Sequence, residues 1–208
     1  MGYRYVPEDM IRHSDFYELY ESYSQETREK IDRLVGRLIR ENPRNRLPLI
    51  TGPGYFMMHW LMADLYVSLG IYIVQKSEGK ESSAVLEQID RCLTVSGEKL
   101  NQKMKRLMKL PGAFTLFRMI APKAMTLANG HGFHVNPIDC GENAFGFDVT
   151  DCPYSRLYAK YGVPEIGPVI CRFDETMSAG ITNLEFVRKG TLCGGFQKCD
   201  FLYRRTKN

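Results

Sequence analysis

The sequence lacks a strong charge of either sign: 28 basic residues face 24 acidic ones, a formal charge of +4 over 208 residues. Such a balance gives no polycationic surface of the kind that grips a phosphate backbone. The densest basic stretch, Lys103, Lys105, Arg106 and Lys109, has no interleaved aromatics and no helix-turn-helix or zinc-finger spacing around it. It reads as a solvated helix face, and no nucleic-acid partner is expected. Also missing are a C-x-x-C pair, a helical H-E-x-x-H, a Walker loop, a Rossmann fingerprint, a G-x-S-x-G elbow and a kinase signature. Nucleotide cofactors are therefore unsupported, and no cofactor is expected. No internal repeat or low-complexity tract appears.

Targeting signals are equally scarce. The opening MGYRYVPEDM has no apolar h-region, and Val6 stands where a myristoylation site wants Ser or Thr. No secretory signal is expected, the location reads as cytoplasmic, and the six cysteines are expected to stay reduced. One run, Tyr55 to Val74, is long enough to span a bilayer but carries His59 and Asp64. Ionisable groups at mid-membrane are costly, so the run reads as a buried core helix and no membrane partner is expected. His59 alone on that helix reads as a hydrogen-bonded core residue.

What is present is an ordinary globular composition, 44% hydrophobic and 25% charged. Helical periodicity is clearest from Glu26 to Glu41, where Ile31, Leu34, Val35, Leu38 and Ile39 share one stripe and Pro43 stops the pattern. A loop with Pro48, Gly52, Pro53 and Gly54 leads to the apolar helix from Tyr55 to about Gln75. A third helix runs from Ser82 to about Leu107, weakened in its middle by Gly97. After Pro111-Gly112 the pattern is irregular as far as Pro122, then turn-rich at Asn129-Gly130-His131-Gly132. From Ala144 to Thr150 residues alternate as in a strand. Short helices follow at Pro153 to Lys160 and Glu165 to Asp174, and strands at Leu184 to Arg188 and Phe201 to Arg205. This order predicts an α+β fold: a helical N-terminal half, residues 1–110, packed on a small antiparallel sheet with short helices in residues 111–208, the whole forming one compact unit. The oligomeric state is not legible.

Four cysteines lie between Cys152 and Cys199. Cys152 ends a strand and precedes a proline at a helix start, where the positive end of the helix dipole favours thiolate. Cys171 is followed by Arg172 and Asp174, and Cys199 by Asp200. Each also fits the ordinary behaviour of cysteine as a small buried hydrophobe. Cys92, Cys140 and Cys193 are assigned no role. A metal site would have to use His131 and His134, with Cys140 nearby, a spacing that matches neither a zinc finger nor a helical H-E-x-x-H; none is expected.

Five ordered blocks carry a family resemblance: Phe147 to Tyr154 (FDVTDCPY), Tyr161 to Glu165 (YGVPE), Cys171 to Asp174 (CRFD), Phe186 to Leu192 (FVRKGTL) and Gly195 to Phe201 (GFQKCDF). Over roughly the last 65 residues the chain resembles the L-2-amino-thiazoline-4-carboxylic acid hydrolase family, departing from it at Cys193, where an alanine-like residue is usual. The resemblance implies a small-molecule substrate: hydrolytic opening of a cyclic amidine to N-carbamoyl-cysteine. It implies Cys152 as nucleophile or site thiol and Cys171 and Cys199 lining the same pocket. Asp174 or Asp200 is implied as acid/base, Arg188 as the clamp on the substrate carboxylate, and Tyr154 as a substrate-binding residue. Whether a thiolate attacks directly or a carboxylate activates water, and which cysteine attacks, stay open. The glycine and Cys-Asp-Phe ending is also similar to vinyl-reductase-type ligand-binding modules, which implies as alternative a non-catalytic small-ligand or metal-binding domain.

Overall fold

The computed structural model describes residues 7–42, 53–129 and 132–206. The chain divides into two compact units, Met1–Leu93 with Leu157–Ile166, and Thr94–Arg156 with Gly167–Asn208. It is an α+β protein, helical in its N-terminal half and carrying a four-stranded antiparallel sheet in its C-terminal half.

In the first unit, α1 (Pro7–Arg12) and α2 (Tyr17–Glu21) precede α3 (Gln25–Glu41). Both are too short to show a period, and the sequence reading passes over them. Ser24 opens α3 by accepting the Thr27 N–H at 3.2 Å, which satisfies a donor that every helix start leaves free. The predicted stripe from Ile31 to Ile39 is buried. It packs on α4 (Pro53–Ser77), where a Cβ at Gly70 would stand 2.8 Å from Val35 Cγ2. Glycine is needed there because the two helices approach this closely. Asn42 ends α3, its side-chain amide donating to Leu38 O at 2.7 Å. The stop assigned to Pro43, the loop residues Pro48 and Gly52, and the turn residues Gly130 and His131 lie outside the described residues.

Helix α4 is long and apolar enough to cross a membrane, but 78% of its apolar window is buried inside the protein. His59 and Asp64 are buried with it. Asp64 accepts the Asp15 N–H at 2.8 Å, and burial followed by the Asp15 charge pushes its carboxyl well up. His59 lies 3.6 Å from the Asp9 carboxylate and edge-on to His13, and burial lowers its tendency to protonate. Ser68 bonds Tyr158 at 2.8 Å in the same unit.

The second unit begins within α5 (Ser82–Leu107). Gly97 does not interrupt this helix. A Cβ there would lie 3.0 Å from Thr176 Cγ2, so the glycine is the point where α5 touches α8 (Ile166–Ser178). The stretch read as irregular is a helix, α6 (Ala113–Thr126), with Pro122 inside it. Apolar residues on two sides hid its period: Phe114 and Phe117 face inward while Leu116, Met119 and Ile120 are exposed.

The sheet has the order β1-β2-β4-β3, with β1 (His134–Ile138), β2 (Ala144–Asp151), β3 (Glu185–Val187) and β4 (Cys199–Arg204). Strand β1, which the sequence reading misses, is an edge strand, the place where a ladder tolerates Pro137. Opposite residues share a face: Phe145 with Tyr203, Phe147 with Phe201, and Val149 with Cys199. The first two pairs stack at 4.9 and 4.7 Å between ring centres. This aromatic face, with Phe117 edge-on to Phe145 at 5.2 Å, is the floor from which the site residues project. Short helix α7 (Pro153–Lys160) follows β2.

Candidate active site

Cysteine 152 lies between β2 and α7, with Pro153 as the first helical residue. Its sulfur accepts the N–H groups of Ser155 and Tyr154, the helix-start geometry expected to favour thiolate. The expected lowering does not occur. Although the residue keeps some exposure, burial outweighs the helix start and pushes the thiol up to about 12. Removing a charge from water costs more here than two backbone donors return.

The favoured thiolate is elsewhere. Cys171 lies on α8, one turn beyond Gly167. A Cβ on Gly167 would stand 2.7 Å from Cys193 Cβ and 2.8 Å from Cys193 Sγ, so the turn Leu192–Gly194 rests directly on this face of α8. From there the Cys193 thiol donates a hydrogen bond to Cys171, which lowers the Cys171 thiol below its ordinary value against the opposing effect of burial. The Asp174 charge also raises it, while Arg188 and the Thr191 hydroxyl act in the lowering direction. Cys193, holding the proton, is pushed up.

Cys199, at the start of β4, is buried; its sulfur accepts the Leu192 N–H at 3.2 Å. Burial raises that thiol to about 11. Cys152 and Cys199 lie within electrostatic reach of Cys193 and Cys171. Cys193 thus joins the three cysteines that the sequence reading selected, within electrostatic reach of each.

Asp174 follows Cys171 by three residues on α8, the spacing that puts both on one side of a helix. Burial pushes its carboxyl up to about 6, while Arg188 pulls the other way. Arg188 Nη1 donates to Asp174 at 2.7 Å, and Nη2 donates to the Cys171 carbonyl at 2.8 Å and to Glu175 at 2.9 Å. Its side chain is 4% exposed, and the guanidinium lies over the Phe186 and Phe201 rings at 5.6 and 5.4 Å. The cation is thus tied to the protein along one edge, and it locks α8 to the end of β3.

One expected site residue stands apart. Asp200 alternates with Cys199 along β4 and faces the other side of the sheet. Its Oδ1 accepts the N–H groups of Lys189 and Gly190 at 2.9 and 2.8 Å, which shapes the turn after β3. Tyr154 is buried, with its ring 6.3 Å from Phe133. Of the metal reading, His131 lies outside the described residues, and Cys140 donates to the Ile138 carbonyl at 3.6 Å. Among the described residues no group of three His, Cys, Asp or Glu side chains is placed to hold a metal ion.

A hollow of about 330 Å³ is lined by Glu175, Ser178, Gly180, Leu184, Glu185 and Phe186; none of the four cysteines nor Asp174 is among its lining residues. Glu175 and Phe186 also touch Arg188, so the hollow adjoins the guanidinium. The sequence signal for Cys193 was slight. It sits in a glycine-flanked turn, and only its departure from the family pattern marked it.

A family model described as L-2-amino-thiazoline-4-carboxylic acid hydrolase matches residues 62–203. That span includes Cys152, Cys171, Cys193, Cys199, Asp174 and Arg188. No curated protein matches the chain. Among solved structures, a mutant H-NOX protein from K. algicida in its Fe(II) unliganded form is 10% identical, with 96% of each chain covered and a TM-score of 0.33. At that score the likeness carries no argument about fold or chemistry.

Proposed function

The chain belongs to the L-2-amino-thiazoline-4-carboxylic acid hydrolase family, and from that membership we propose that it hydrolyses a small cyclic amidine such as 2-amino-thiazoline-4-carboxylate to N-carbamoyl-cysteine. The observation that carries the reading is the seating of Cys193 on the face of α8 that holds Cys171, a contact that lowers the Cys171 thiol one helical turn from the Asp174 carboxyl, which burial pushes up to about 6. A lowered thiol holds a larger fraction as thiolate, the nucleophilic form, and is a better leaving group.

In this mechanism the Cys171 thiolate adds to the ring carbon between sulfur and nitrogen. The ring C–S bond then breaks, and protonated Asp174 gives its proton to the departing sulfur. The substrate carbon is left bound to Cys171 as an amidino thioether. Asp174, now ionised, takes a proton from water as that water attacks the same carbon. Collapse expels the Cys171 thiolate and leaves a urea, so one water is consumed and one free thiol appears. Arg188 acts as a positioning residue, holding Asp174 and offering its charge to the thiolate. Cys152 and Cys199 stay neutral and line the site. The need for reduced sulfur fits a cytoplasmic location.

Thiol release from the aminothiazoline tests this. Intact protein should release it, and Cys171→Ala should lower the rate by about 10³-fold or more, whereas Cys152→Ala should keep it within about ten-fold, because Cys152 plays no part in bond making. The competing reading, a non-catalytic small-ligand domain, is favoured by the burial that keeps Cys152 and Cys199 as neutral thiols. It wins if the heterocycle raises the melting temperature and no thiol appears.

A further inference from the structure

From Lys99 to Ile138 the chain carries seven Lys and Arg residues and not one Asp or Glu. The remainder carries 21 basic and 24 acidic residues, so forty residues hold +7 and all the others together hold −3. The modest overall charge conceals this polarity.

The same stretch holds most of the apolar surface that the fold leaves uncovered. Leu107, Leu110, Leu116, Met119, Ile120 and Leu127 are between 44% and 59% exposed. With Ile138 they make up seven of the ten large apolar side chains exposed among the described residues. Scattered exposed leucines need no explanation, whereas a contiguous set does. Four of them share one helix face. Leu116, Ile120 and Leu127 recur at helical spacing along the outer side of α6, with Met119 beside them, while Phe114 and Phe117 on the inner side pack on Phe145. Lys123 is exposed on that outer side. Lys103, Arg106 and Lys109 are exposed at the end of α5, next to Leu107 and Leu110 and just before the left-handed Gly112 turn into α6.

We infer that this face docks on an anionic lipid bilayer. Leucine, isoleucine and methionine side chains enter the boundary between headgroups and acyl chains, and flexible lysine stems let their charges reach the phosphates. A second copy of this chain is a poor occupant. A two-fold interface sets the same patch against itself, and that would oppose Lys103, Arg106, Lys109 and Lys123 to their own copies with no acid in the stretch to offset them. Exposed aliphatic residues without an exposed aromatic also differ from the Trp- and Tyr-centred patches of protein interfaces. The inference does not depend on the hydrolase reading.

Co-sedimentation of the full chain with vesicles tests it. Binding to phosphatidylcholine vesicles containing phosphatidylserine is expected, with little binding to phosphatidylcholine alone. Salt at about 1 M, where the screening length is about 3 Å, should weaken it more than ten-fold. Lys103→Gln with Lys109→Gln removes two attractive contacts and should cost about 25-fold, at about five-fold per charge. Leu116→Glu with Ile120→Glu should abolish binding while circular dichroism stays unchanged, since both residues are exposed. Failure of the intact protein to pellet with the mixed vesicles overturns the proposal, as does undiminished binding by both variants. A dimer that Leu116→Glu dissociates gives the face to a second copy and also overturns it. So does capture by polyglutamate without vesicle binding, which assigns an acidic protein instead.

Discussion

Cys152 stands at the entry of α7 with backbone N–H groups on its sulfur, while Cys171 stands mid-helix in α8, away from any terminus. Elementary helix electrostatics ranks Cys152 as the better thiolate. The surroundings reverse that order: burial holds Cys152 near 12, and the Cys193 thiol, with Arg188 and Thr191, lowers Cys171. A helix terminus contributes only partial charge. A neighbouring thiol that donates directly outweighs it.

The largest effect that separates the two thiols is chemical. Iodoacetamide at neutral pH should alkylate Cys171 at least about 10³-fold faster than Cys152, because a thiol near 12 is almost never ionised there. Peptide mass spectrometry over a time course gives the order, and early labelling of Cys152 would break the comparison. A smaller effect is structural. Arg188→Met removes the bonds to Asp174, Glu175 and the Cys171 carbonyl, leaving acceptors that are partly shielded from water. Urea unfolding should show a loss of about 2–3 kcal/mol; an unchanged midpoint would mean that the guanidinium does not tie α8 to β3.

The smallest effect is in pH. The folded Asp174 carboxyl sits near 6, against an ordinary value of 3.8. The folded protein therefore binds more protons than the unfolded chain between about pH 4 and 6. This contribution to stability is fully present below that window and is lost as pH rises through 6. Asp174→Asn should flatten the stability profile there by an amount on the order of 1 kcal/mol, reduced by the side chain's remaining exposure. A profile in the variant as steep as in the parent would assign the titration to another group.

Much of the fold was legible. The α3 stripe, the buried character of α4, the span of α5 and the alternation in β2 follow from residue spacing, since each element buries one face, or nearly all of its surface. α6 and β1 were not legible, because α6 is apolar on two sides and β1 holds a proline that only an edge position tolerates. The site was half legible. Cys152, Cys171, Cys199 and Asp174 stand in the family-like blocks. Cys193 does not stand out in any pattern, because its partner lies 22 residues earlier on another element. Asp200 reads like Asp174 in sequence, yet strand alternation turns it to the far side of the sheet.

The sequence by itself determined the helical and strand periods, the family, the excess of charge between Lys99 and Ile138, and the cysteines available. Only the tertiary structure decided which sulfur ionises, which carboxyl joins it and which apolar helix is left uncovered. The reason is physical: periodicity is a property of neighbours along the chain, whereas desolvation and hydrogen bonding depend on atoms that come together only when distant segments fold.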